Sequence, residues 1–122
     1  MKYILVPTDF SESANNASEF AIQMAKSLQF PIRFLHSVQT PVEWSKLNIQ
    51  DEKKYPETKE RINSAKDQLK IWEQKATEKG VDAEHSIIYN TGMDELVNYV
   101  KPENYELVIM GTHGAKGFEK IM

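Results

Sequence analysis

A chain of 122 residues with 40% hydrophobic positions has the length for one domain and the apolar content for one core. Its net charge of −3 and pI near 5.6 weigh against a nucleic-acid partner, and no basic run interleaves with aromatics. The absence of cysteine removes disulfides, thiolate catalysis and thiolate metal sites, and it fits a reducing, cytoplasmic setting.

The run Tyr3-Ile4-Leu5-Val6 stops at Pro7 and is too short for a signal peptide. No stretch approaches the roughly 20 apolar residues that span a bilayer, so no membrane partner is expected. A short unbroken apolar run reads as a strand buried on both faces, as in a parallel sheet. Ala14, Ala17, Ala21, Met24 and Leu28 then recur at helical spacing, with Phe20 and Ala25 broadening the stripe. Ser11 suits the N-cap and Glu12 the positive end of the helix dipole, while Pro31 ends helical geometry before Phe30.

Residues Ile32 to Val38 read as the second strand. From Thr40 to Tyr55 the chain is polar and aperiodic, which predicts a long surface loop. A second helix starts near Pro56, carries Ile62, Ala65, Leu69, Trp72 and Ala76 as its buried stripe, and stops at Gly80. A third strand from Ala83 to Tyr89, a short helix from Met93 to Val100 and a fourth strand from Glu106 to Met110 complete the order. Strands that alternate with helices give an α/β fold: an open parallel sheet, doubly wound, with right-handed crossovers.

In such sheets the ligand crevice lies beyond the carboxyl ends of the strands, where the strand order reverses. The first and fourth strands are the least alternating and are expected to be central neighbours. Their exit turns, Pro7-Thr8-Asp9-Phe10-Ser11 and Gly111-Thr112-His113-Gly114-Ala115-Lys116-Gly117, then face each other. Glycines at 111, 114 and 117 suit either a phosphate cradle or a tight strand-to-helix turn that binds nothing. Asp9 suits either a hydrogen bond to a ribose or base edge, or a capping carboxylate paired with Glu12.

The segments Ile4 to Ser11 and Leu107 to Gly114, with Leu35-His36 closing the second strand, resemble the signature of the universal stress protein family over the whole chain. The resemblance implies a sheet of strand order 3-2-1-4-5, dimer formation and, in many members, adenine nucleotide binding. By position, Pro7, Thr8 and Asp9 match the segment that meets adenine and ribose. Met110, Gly111, His113 and Gly114 match the turn that approaches ribose and phosphates, with Gly117 following. Many members carry an apolar residue after the strand-end histidine; here Ser37 stands there and Val38 follows as the candidate adenine wall.

ATP-binding members also resemble one another in a later Gly-Ser or Gly-Thr step, which would fall beyond Met122. On that ground the domain, residues 1–122, is expected to be incomplete at its C-terminus and to lack the fifth strand. An unpaired fourth strand would then recruit a second copy or a tandem second domain.

The implied cofactor is ATP, with or without Mg²⁺, in a stress-response or signalling module without dedicated catalysis and at most weak ATP hydrolysis. The alternative is an interaction module of the same fold that works through dimerisation. An adenylating enzyme would resemble Ser-Gly-Gly-x-Asp-Ser after the first strand, and a phosphorelay receiver would end its third strand on aspartate; neither fits. No catalytic residue or metal ligand set stands out. His36, His85 and His113 share no ligand spacing, and Asp51-Glu52 sits in the polar loop.

Overall fold

Strand β1, Tyr3–Pro7, runs through the middle of the molecule, with Ile4, Leu5 and Val6 at 1% exposure or less. The structure, a computed structural model, describes residues 2–92, 95, 102–111 and 118–121. After β1 come α1 (Glu12–Leu28), β2 (Ile32–Val38), a 3-10 turn (Trp44–Lys46), α2 (Ile49–Glu52), α3 (Pro56–Glu78) and β3 (Ala83–Tyr89). A 3-10 turn at Pro102–Asn104 leads into β4 (Tyr105–Gly111), and β5 (Phe118–Ile121) follows. The sheet order is β3-β2-β1-β4-β5, with the first four strands parallel.

Those four parallel strands have the 3-2-1-4 order expected of the sequence, with β1 beside β4. The outer edge differs from expectation. β5 pairs antiparallel with β4, from Val108↔Ile121 to Gly111↔Phe118, so the sheet does not end on a bare fourth strand.

Helices α1 and α3 cover one face of the sheet. The connections from β1 to β2 and from β2 to β3 step the same way across it, and right-handed crossovers therefore bring both helices to one side. Ala17, Ala21 and Ala25 let α1 lie close to the strands, while Leu69, Trp72 and Ala76 of α3 pack over Phe34 and Ile32. The α3 stripe read from sequence is buried throughout; in α1, Leu28 is instead 45% exposed. Leu28 is the last residue of the helix.

The opposite face holds Leu5, Leu35 and Val108, with Ile88 and Tyr105 against them. Arg33 crosses this face at the lower end: its guanidinium lies 4.6 Å from the Tyr3 ring, donates to Tyr105 Oη at 2.9 Å and pairs with Glu84. One side chain thus touches all four parallel strands. The short helix expected at 93–100 lies outside the described residues.

The stretch from Thr40 to Tyr55 is more ordered than its polar composition predicts. Trp44 is 7% exposed, packs with Val38 and Ile62, and meets the Tyr55 ring edge-on at 6.2 Å. One buried aromatic anchors the segment, and its polar residues build the 3-10 turn and α2 around it.

Truncation of a fully buried leucine leaves a cavity as well as lost transfer energy. Leu69→Ala should therefore cost about 2–5 kcal/mol in urea unfolding. An unchanged midpoint would mean that α3 does not cover the sheet.

Candidate functional site

The turn leaving β1 is built from three successive side-chain to backbone hydrogen bonds. Thr8 Oγ1 accepts from Phe10 N at 3.0 Å, Asp9 Oδ1 accepts from Ser11 N at 2.9 Å, and Ser11 Oγ accepts from Ala14 N at 3.2 Å. Short polar side chains favour this geometry because they reach their own backbone two or three residues on. Ser11 is therefore the N-cap of α1, and Asp9 forms an Asx turn ahead of it. The capping-box reading of Asp9 with Glu12 does not hold.

Phe10 sits in this turn at φ +63°, a left-handed conformation that costs a non-glycine residue about 1–2 kcal/mol. Its ring packs on that of His36, with centroids 4.5 Å apart. Such a contact is worth about 0.5–1.5 kcal/mol and offsets much of the strain. His36 Nδ1 donates to the Thr8 carbonyl at 2.7 Å, while Thr8 N donates to the Leu35 carbonyl at 2.8 Å. Two bonds thus fasten the turn to the end of β2.

Gly111 closes the other side. Its φ is not positive, so its glycine character has a different cause from the one read in sequence. A Cβ built there would lie 2.5 Å from the Ser13 carbonyl carbon and 2.6 Å from Ala14 N. Backbone meets backbone, and only glycine permits the approach. The end of β4 is thereby pressed onto the first turn of α1, which follows the turn that carries Asp9.

Alternation along the strands sorts the remaining residues by face. Leu5 pairs with Val108 opposite the helices, so Pro7 and Met110, two residues on, stand on that same face. Pro7 is buried and Met110 half-buried. Thr8 is fully buried with its polar groups engaged, so it positions the turn and offers no surface to a ligand. Val38 faces α3, packed with Trp44 and Ile62, and does not share a face with Pro7 and Met110. Ser37 stands on the crevice side instead, its Oγ donating to the Thr91 carbonyl at 2.5 Å and accepting from Thr91 N at 3.3 Å. His113, Gly114 and Gly117 lie outside the described residues.

A second clamp, unread in the sequence, borders the site. Asn90, at φ +58°, accepts from Thr40 N at 2.8 Å and donates to Thr40 Oγ1 at 3.1 Å. Asn-Thr-Gly after a strand was the available signal, since asparagine tolerates the left-handed region. His85 is not a free surface residue: it bonds Glu73 of α3. Among the described residues no three His, Cys, Asp or Glu side chains gather as a metal site requires, and no helix is long and apolar enough to cross a membrane.

The sequence model of the universal stress protein family matches residues 1–122. The chain belongs to that family. It is 29% identical over 126 aligned residues to Universal stress protein YxiE of Bacillus subtilis, covering 98% of this chain and 84% of the relative. The universal stress protein UspA from Lactobacillus plantarum has the same fold, with a TM-score of 0.71 at 21% identity over 94% of this chain and 81% of that one. A universal stress protein in complex with cAMP superposes with a TM-score of 0.68 at 21% identity, over 94% and 79% of the two chains.

The role of Gly111 in this family member is directly testable. Gly111→Ala forces the first turn of α1 to move, and overpacking of this kind costs about 1–3 kcal/mol. The variant should unfold at correspondingly lower urea. Wild-type stability would mean that β4 and α1 are not in backbone contact.

Proposed function

We propose that this chain binds an adenine nucleotide in the crevice between the β1 exit turn and the end of β4, as a stress-response or signalling module without dedicated catalysis. The observation that carries the reading is the contact of Gly111 with Ser13–Ala14, which draws the end of β4 against the helix that follows the turn bearing Asp9. The crevice stands where the strand order reverses, between β1 and β4, the place where open α/β sheets take their ligands. A relative of the same fold carries cAMP, which supports an adenine nucleotide as the ligand class.

Within this reading Asp9 accepts hydrogen bonds from the sugar or base, and Met110 supplies apolar contact, backed by the fully buried Pro7 on the same face. The amide of Gly111 and the glycines at 114 and 117 serve the phosphates of ATP, with Mg²⁺ as a companion that those phosphates would hold. The proposal includes a cytoplasmic setting, which the absence of cysteine fits, and a homodimer, as the family resemblance implies.

One observation favours the interaction-only alternative. The residue beside Pro7 and Met110 at the end of β2 is Ser37, whose hydroxyl is engaged by Thr91, and Val38 faces away. An adenine ring would therefore find less apolar wall there than in a member with an apolar residue at that position.

Calorimetry with ATP on the wild type and on Asp9→Ala separates the readings. Loss of a charge-assisted hydrogen bond is worth roughly 1.5–3 kcal/mol, so affinity should fall about tenfold to a hundredfold. Melting should change less, because Ser11 caps the helix and the bond from Ser11 N to Asp9 is exposed and worth about 1 kcal/mol. Absence of ATP binding by the wild type would leave the interaction module as the function.

A further inference from the structure

On the helix-covered side of the sheet, between α3 and the β1 exit turn, lies an open cleft of about 340 Å³. Phe10 and the strand end from His36 to Gln39 form one wall, and Arg61, Ser64 and Gln68 of α3 form the other. The three α3 residues follow i, i+3, i+7 spacing, so one face of the helix presents all of them. The cleft lies on the other face of the sheet from Pro7 and Met110 and shares Ser37, at the end of β2, with the crevice.

Its chemistry is one-sided. None of the described residues lining it is acidic, and Arg61 forms no ion pair among the described residues. The guanidinium's bond to Thr58 Oγ1 is long, at 3.4 Å. A guanidinium is a planar fork suited to an oxyanion, and its charge here is left for a ligand. Phe10 and His36, tilted by 32° at 4.5 Å, offer aromatic surface beside the Val38 side chain. Serine and glutamine around them supply neutral donors and acceptors. A volume near the lower end of ligand pockets, roughly 300–1,000 Å³, suits a small molecule.

We propose that this cleft is a second ligand site, for a small molecule that combines a flat ring with one oxyanion group, a phosphate or a carboxylate. Arg61 holds the anion, and Phe10 and Val38 meet the ring. His36 reports the occupancy to the neighbouring turn, because its Nδ1 already donates to the Thr8 carbonyl and its ring supports the strained Phe10. The proposal stands whether or not the crevice takes a nucleotide.

Phenyl phosphate, which carries one ring and one phosphate, is the probe, titrated into the full chain and followed by ¹H–¹⁵N amide shifts. Saturable shifts are expected at Gln39, Ser64 and Gln68. Arg61→Gln should weaken the Kd about tenfold, and Ser64→Trp, which fills the cleft from an exposed helix position, should abolish saturation. Lys26→Gln, a charge removed near the opposite end of the sheet, should bind as the wild type does. Absence of saturable shifts, shifts confined to Asp9, Ser11 and Gly111, or wild-type affinity in both Arg61→Gln and Ser64→Trp would overturn the proposal.

Discussion

The approach of β4 to the first turn of α1 is set by what Gly111 lacks. With no Cβ, its backbone lies against Ser13 and Ala14, where a side-chain carbon would come within 2.5 Å of main-chain atoms. That approach holds the end of β4 against the helix that follows the turn leaving β1, at the point where the strand order reverses. Parallel pairing alone would leave β1 and β4 adjacent in the sheet without fixing the distance between the segments that follow. The alanines along α1 act in the same sense further down, letting the helix lie close to the strands it covers.

A second constraint shapes the turn itself. Phe10 is held in a left-handed conformation by contacts that are each modest: its stacking on His36, the Thr8 hydroxyl on its amide, and the Asx turn at Asp9. The stacking is of the same order as the backbone strain, so the turn persists because neighbouring elements hold it. His36 is central to this, since it bonds the Thr8 carbonyl from the end of β2. The turn that carries Asp9 is therefore fixed from two strands and one helix.

Much of the fold was legible because periodicity and turn chemistry agreed. The runs at 4–6 and 107–109 are buried from both sides and read as central strands, and the stripe from Ile62 to Ala76 on α3 is buried as its spacing predicts. Ser11 was legible as a cap because its chemistry is local. Gly111 was legible as a glycine that matters, although not for the reason its sequence context gave: a contact with α1, distant in sequence, leaves no local mark. The facing of Val38 shows the same limit. One residue along a strand reverses the face, and only the register of the sheet tells which of Ser37 and Val38 turns toward Pro7. The antiparallel β5 and the anchoring of residues 40–55 by Trp44 depend on tertiary contacts that composition does not encode.

The central claim is that a nucleotide enters the crevice between the exit turn of β1 and the end of β4. An amide-shift map of the ¹⁵N-labelled chain titrated with ATP tests it most directly. The account predicts saturable shifts at Asp9, Ser11, Met110 and Gly111, with the lower end of the sheet around Arg33 and Glu84 unmoved. Saturation with shifts elsewhere and none at those four amides, or no saturable shifts at all, would contradict it.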